Sequence, residues 1–232
     1  MSAESSGRLM DTDRVTFRDR AEAGRALAAK LAPLVTPPCV VVGLPRGGVA
    51  VALPIAERLH APLTVVYARK LTAPFAAELA FGALDEDREV ILDPGTVAWL
   101  RLTPDDIERA RAHVWGEIQR RMALYGAPSL GTILSGAASG VSVILVDDGL
   151  ATGLTMRAAL RYARRHGARE VIVAVPCAAT EAAEGFRREA DRFVGLVVDE
   201  EFRAVGQYYA DFSPVSDAEV LALLARAKEH LE

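Results

Sequence analysis

Cysteine is scarce in this chain: two residues of 232, Cys39 and Cys177, each at the edge of an apolar run. Two isolated thiols without CxxC spacing argue against a disulfide framework or a cysteine zinc site and fit a reducing compartment. Histidine is thin as well. The four residues (His60, His113, His166, His230) are dispersed at no metal-binding spacing, and each reads as an exposed helix-end residue. No apolar run approaches the roughly 18 residues of a membrane span, and the polar opening MSAESSGRLMDTDR contains no apolar leader core. An excess of positive charge is also missing. Lys and Arg number 27 against 31 Asp and Glu, a net −4, so no overall field draws nucleic acid or an anionic membrane. The arginine-rich RYARRHGAR at 161–169 reads as a solvated helix face. A GxSxG elbow and a Walker loop are both lacking. These absences predict a cytoplasmic protein that binds neither membrane nor nucleic acid.

What is present is apolar and evenly spread. About half of the residues are apolar (51%) and a quarter charged (25%), which suits one domain over 1–232 with a sizeable core. FRDRAEAGRALAAKL (17–31) has helical spacing and is stopped by Pro37 and Pro38. CVVV (39–42) reads as a strand, 43–48 as a glycine-bearing loop, and the run to His60 as a helix. LTVVYARKL (63–71) reads as a second strand. LTPDDIERARAHVWGEIQRRMALYG (102–126) reads as a long helix with Thr103 as its cap and Asp105 and Asp106 in its first turn. GAPSLGTILSGAASG reads as a linker. Strand, helix, strand, helix, strand then follow from Val141 to Val198, and a capped helix ends the chain. Uniformly apolar strands alternating with helices predict an α/β fold with a mainly parallel central sheet flanked by helices. A helical insertion (94–135) and a small C-terminal hood (199–232) complete it.

Three strand ends carry unusual chemistry, and in open α/β sheets ligands sit beyond those ends. GLPRGG sets Arg46 before Gly47 and Gly48, whose backbones can approach an anion closely. YARKL places Arg69 and Lys70 together. VILVDDGLATGLT ends a buried strand on Asp147 and Asp148. Its loop of small residues, with the hydroxyls of Thr152 and Thr155, opens a helix and makes a phosphate cradle. Two carboxylates cannot face that phosphate; they suit the hydroxyls of a neighbouring sugar, or a cation. The ligand implied is a sugar phosphate with a second anionic group. A receiver-like metal pocket and a ligand-free capping turn are the competing readings of the doublet. DEDRE (85–89) reads as a solvated turn.

VILVDDGLATGLT resembles the 5-phosphoribosyl-1-pyrophosphate (PRPP) signature of the type I phosphoribosyltransferases. The likeness covers the βα core, roughly 39–92 and 141–198, and is stronger still to a bacterial group of phosphoribosyltransferase-domain proteins that brings no assigned base. The ATG segment is similar to that of adenine phosphoribosyltransferases; Gly149 departs from the pattern, where an apolar residue or Ser is usual. The resemblance implies that Asp147 and Asp148 hold the ribose 2′- and 3′-hydroxyls, and that Gly149, Ala151, Thr152, Gly153 and Thr155 belong to the 5′-phosphate loop. LPRGG is similar to the pyrophosphate loop, implying Arg46, Gly47 and Gly48 at the pyrophosphate and a strained peptide between Arg46 and Gly47. ARK is similar to the basic pair of adenine and orotate enzymes, implying Arg69 and Lys70 on the same group. The segment 72–92 would be the mobile lid.

The chemistry implied is displacement of pyrophosphate at the anomeric carbon by a nucleobase-like nitrogen, with Mg²⁺ bound mainly through PRPP and no metal ligand assigned on the chain. Ala151 stands where some 6-oxopurine enzymes carry an extra acid, so that assistance is lacking. VDEEFRAVGQYYADF (198–212) resembles the hood of hypoxanthine enzymes, implying Phe202 as the stacking residue for the base and Asp211 as its acid, although the spacing to the acid differs by about a residue. Packing of Phe202, Tyr208 and Tyr209 in a core is the competing reading. The resemblance also implies a homodimer, with the 102–126 helix as a candidate contact. A non-catalytic module that senses PRPP or a nucleotide, and a PRPP-cleaving activity, remain as alternative functions.

Overall fold

The computed structural model describes residues 16–73, 76–136 and 140–231, and the side chains of 76–78 lie outside the description. The central sheet has five strands in the order β2-β1-β6-β7-β8, all parallel: β1 (Cys39–Gly43), β2 (Leu63–Val65), β6 (Ser142–Val146), β7 (Glu170–Ala179) and β8 (Arg192–Asp199). Side chains alternate between its faces. Val40, Val42, Val143, Leu145, Val171 and Val173 turn one way, toward helices α5 (Leu130–Gly136), α6 (Leu154–Arg165) and α7 (Thr180–Glu189). Val41, Ile144, Val146, Ile172 and Ala174 turn the other way, toward α1 (Arg20–Leu31) and α2 (Gly47–Leu59). Both faces are covered, which is why the strands read as unbroken apolar runs. The fold is α/β with a mainly parallel sheet.

The apolar run 63–71 is divided. β2 ends at Val65 in the central sheet, and residues 66–68 carry the chain into a second, antiparallel sheet of β3 (Arg69–Ala73), β4 (Ala76–Leu84) and β5 (Val90–Leu92). This sheet packs on α4 (Pro104–Tyr125), where Leu71, Phe81 and Leu84 meet Val114, Ile118 and Tyr125, and α8 (Asp217–Glu229), lying on α2 and α4, adds Val220 and Leu224 to the same cluster. The helix expected as a dimer contact therefore buries its apolar face within its own chain. Most of the segment expected as a lid is strand, with Phe81 and Leu84 wholly buried; its tip at 74–78 lies outside the described side chains. α3 (Pro94–Trp99) links the sheet to α4, and α5 arises inside the stretch read as linker.

The helix ends follow capping chemistry. Thr103 and Asp106 form a capping box on α4, Ser216 and Glu219 one on α8, and Asp19 caps α1. α1 begins at Arg20, later than its periodicity suggests, because Phe17 pairs with Tyr209 and is buried with Tyr208 and Cys177. The DEDRE turn is solvated only in its second part, at Asp87, Arg88 and Glu89. Asp85 and Glu86 are buried, and Asp85 accepts hydrogen bonds from the amides of Asp87 and Glu89 and from Arg165 at 2.6 Å. His113 likewise departs from its expected place, standing in the middle of α4 rather than at a helix end.

Candidate active site

Strand order reverses between β1 and β6, since β2 lies outward of β1 while β7 and β8 lie outward of β6. The loops beyond these two neighbours diverge and leave a crevice. They remain tied at its floor, where the Leu44 amide donates to the Val146 carbonyl at 2.9 Å. The arginine loop then crosses the doublet at close quarters. A methyl on Gly47 would collide with the Asp148 carboxylate, and one on Gly48 would lie 2.5 Å from the Val146 carbonyl oxygen. At Gly48 the clash is with backbone and glycine is required for the loop to lie there, whereas at Gly47 the Asp148 carboxylate would have to move. The non-proline cis peptide of this loop joins Pro45 to Arg46, one residue before the position the resemblance implies.

Arg20, from the start of α1, enters the site unforeseen. Its Nε donates to Asp148 Oδ2 at 2.8 Å, its Nη1 donates to the Ser213 carbonyl at 2.9 Å, and its guanidinium lies 4.0 Å from the centre of the Phe212 ring. With side chains 11% and 17% exposed, Arg20 and Asp148 form a largely dry pair. Tyr209 donates its hydroxyl to the Asp148 carbonyl at 2.6 Å, fixing the backbone of the doublet. Asp147 Oδ1 accepts the Asp148 amide at 2.9 Å. Burial, and then the charge of Asp148, raise the Asp147 carboxyl well above the ordinary carboxylate range. The Cys177 thiol, pushed up to about 12 by burial, is inert packing behind the doublet.

The loop after the doublet runs into α6 without a side-chain cap; Gly153 holds the cap position at φ 73°. The first amides of α6 are therefore available to an anion. They border a cavity of about 160 Å³, which is lined by Lys70, by residues 147–156 and by Val205. Ala151, Thr152, Gly153 and Thr155 all lie on this wall. Gly149 has a local reason for its departure from the pattern: a Cβ there would sit 2.5 Å from Val205 and 2.9 Å from the Cys177 sulfur. The hood packs where a side chain would go.

A second cavity of about 510 Å³ adjoins the first, sharing Lys70, Asp147 and Thr155 with it. The antiparallel sheet brings Arg69 and Lys70 to this cavity, and the glycine loop brings Arg46. Its far wall is α4, which presents His113, Glu117 and Arg121 at four-residue intervals. Glu117 holds Arg69 at 2.8 Å. The place of these three residues in the site escaped sequence reading. Their spacing, one helical stripe beside that of Val114 and Ile118, was the only available signal. Phe202 and Asp211 lie apart from both linings. Phe202 stacks on Tyr208 with ring centres 5.4 Å apart, and Asp211 accepts from the Ser213 amide and hydroxyl at 2.9 and 2.6 Å. Tyr208 and Tyr209 are core residues. Among the described residues no three His, Cys, Asp or Glu side chains converge as a metal site.

The family model for the phosphoribosyl transferase domain matches residues 115–213, a span that includes the doublet, its loop and the hood. Two Mycobacterium tuberculosis proteins, from strains CDC 1551 / Oshkosh and H37Rv, provisionally named as phosphoribosyl transferases, are each 42% identical over 211 residues. The match covers 91% of this chain and 47% of each relative, so the chain spans about half the length of the curated relatives it matches. The crystal structure of TT1426 from Thermus thermophilus is similar at 42% identity with a TM-score of 0.72, over 91% of this chain and 99% of that one.

Proposed function

The chain belongs to the phosphoribosyl transferase family, and from that premise we propose that it transfers the 5-phosphoribosyl group of PRPP to a nucleobase-like acceptor and releases pyrophosphate. One observation carries the reading: an acid doublet stands between a small cavity bordered by free helix amides and a larger one lined by Arg46, Arg69 and Lys70. PRPP has that order of groups, with a phosphate at C5, two ring hydroxyls and a pyrophosphate at C1. The 5′-phosphate would take the amides and threonine hydroxyls of 151–155. The ribose hydroxyls would donate to Asp147 and Asp148. The pyrophosphate would lie against the three cations.

In the reaction the acceptor nitrogen forms its bond to C1 as the C1–O bond breaks. The bonding electrons leave with pyrophosphate, and the acceptor's N–H proton passes to solvent. Negative charge grows on the leaving oxygens, and Arg46, Arg69 and Lys70 stabilise that charge where it develops. Glu117 keeps Arg69 in place, and Arg20 does the same for Asp148. A Mg²⁺ ion would be held mainly by PRPP's own oxygens with Asp147 beside it, because among the described residues no three potential ligands converge and Asp148 is already paired. When bound, Mg²⁺ supplies further neutralisation of the leaving group.

The rival reading is a module that binds PRPP or a nucleotide without turnover. It is favoured by the hood, whose Phe202 and Tyr208 stack on each other rather than facing either cavity. Pyrophosphate release is the discriminating readout, measured with PRPP, Mg²⁺ and a panel of nucleobases. Acceptor-dependent release supports transfer. Release without acceptor identifies PRPP cleavage, and binding without release identifies the sensor.

A further inference from the structure

Resting on that reading, we propose that Arg121 of α4 is a direct ligand of the pyrophosphate group, so that the helical insertion forms the outer wall of the leaving-group site. Arg121 lines the larger cavity together with Arg46, Arg69 and Lys70, which arrive from the glycine loop and the antiparallel sheet. Its Nε is buried and has no hydrogen-bond partner among the described residues. Nor, among those residues, does a carboxylate stand within ion-pair distance of it, whereas Arg69 has Glu117 and the neighbouring Arg120 has Asp217. A half-buried guanidinium left in this way is costly unless a ligand completes it.

Its neighbours sharpen the point. Burial first, and then the charge of Arg69, with Arg46 a smaller contributor, lower the Arg121 pKa from its ordinary value, so the cations are close enough to repel one another. The cavity lining holds four Lys or Arg side chains (Arg46, Arg69, Lys70, Arg121) against two carboxylates (Glu117, Asp147). The surplus calls for a ligand with at least two negative charges, and a diphosphate meets that need. The helix is also held firmly. Val114, Ile118 and Tyr125 are buried, and the Tyr125 hydroxyl donates to Asp217 at 2.5 Å, so the four-residue stripe facing the cavity is set by packing immediately beside it.

The test is calorimetric, titrating Mg²⁺ with pyrophosphate, PRPP and ribose 5-phosphate into wild type and Arg121→Met, whose unchanged thermal midpoint would certify folding. Arg121→Met is expected to weaken pyrophosphate and PRPP at least about tenfold and to leave ribose 5-phosphate within about twofold. Undiminished pyrophosphate binding by the variant, or an equal loss for ribose 5-phosphate, overturns the assignment while the parent reading stands. A wild type that binds neither PRPP nor pyrophosphate overturns both. Should Arg121→Met fail to fold, the wild type answers alone: pyrophosphate, and not ribose 5-phosphate, is expected to shield Arg121 from an arginine-specific dicarbonyl reagent, read by peptide mass spectrometry. Modification at an unchanged rate rejects the proposal.

Discussion

Gly47 marks how closely the two ligand loops approach, because any side chain there would strike the Asp148 carboxylate. Gly47→Ala is expected to push the loops apart at a cost of roughly 1–3 kcal/mol and to lower PRPP affinity at least about tenfold, checked by urea unfolding and calorimetry. Glu86 offers a second residue-scale test, away from the cavities of the proposed reaction. Burial is the main cause that raises its carboxyl to about 7, and the nearby Asp87 and Asp85 charges add to it. A carboxyl whose folded value exceeds its unfolded one binds its proton more tightly in the native state. Its stability contribution is complete below the unfolded value and is lost as pH climbs through 7. The loss amounts to at most roughly 3 kcal/mol. Glu86→Gln should flatten the fall in melting temperature between about pH 5 and 8 relative to wild type, even though Asp147 contributes with the same sign. Residues adjacent in sequence, such as Asp147, Asp148 and their loop, were readable because their chemistry is local. The Arg20–Asp148 pair spans 128 positions and depends on how the hood folds back, and no local pattern encodes that.

At the scale of elements, α4 is the part whose role the sequence concealed. Its cap and length were legible from Thr103 onward, yet neither says which surface the helix will meet. Here Val114, Ile118 and Tyr125 meet the antiparallel sheet, and the stripe of His113, Glu117 and Arg121 is turned into the crevice. Ile118→Ala removes a fully buried side chain from this contact and is expected to cost about 2–4 kcal/mol in urea unfolding. It should also weaken pyrophosphate binding more than ribose 5-phosphate binding, since only the former leans on α4. The run 63–71 looked like one strand for a related reason. The run from Val65 to Ala68 is buried and apolar without a break, and nothing in it marks that β2 joins the central sheet while Arg69 and Lys70 open a second one. The division is useful, because it carries the two cations away from the central sheet and around to the mouth of the crevice.

Across the whole molecule, the parallel sheet supplies position and its flanking parts supply charge. The reversal of strand order at β1 and β6 creates the crevice, the α6 amides and the doublet furnish one side, and the antiparallel sheet with α4 furnishes the other. The alternation of apolar strands and helices announced the central architecture, since each strand is covered on both faces. The hood was less legible: Phe202 and Asp211 fit a base-binding pattern in sequence, but Phe202 lies against Tyr208 and Asp211 closes a turn with Ser213. The proposed reaction stands or falls with the doublet as the holder of PRPP's ribose. The decisive comparison is a calorimetric titration of PRPP with Mg²⁺ into wild type and the double variant Asp147→Asn/Asp148→Asn. Saturable one-site binding is expected for the wild type, weakened at least about a hundredfold in the variant, in which both carboxyl groups facing the ribose are replaced by amides. Equal affinity in the two proteins would contradict that role for the carboxylates.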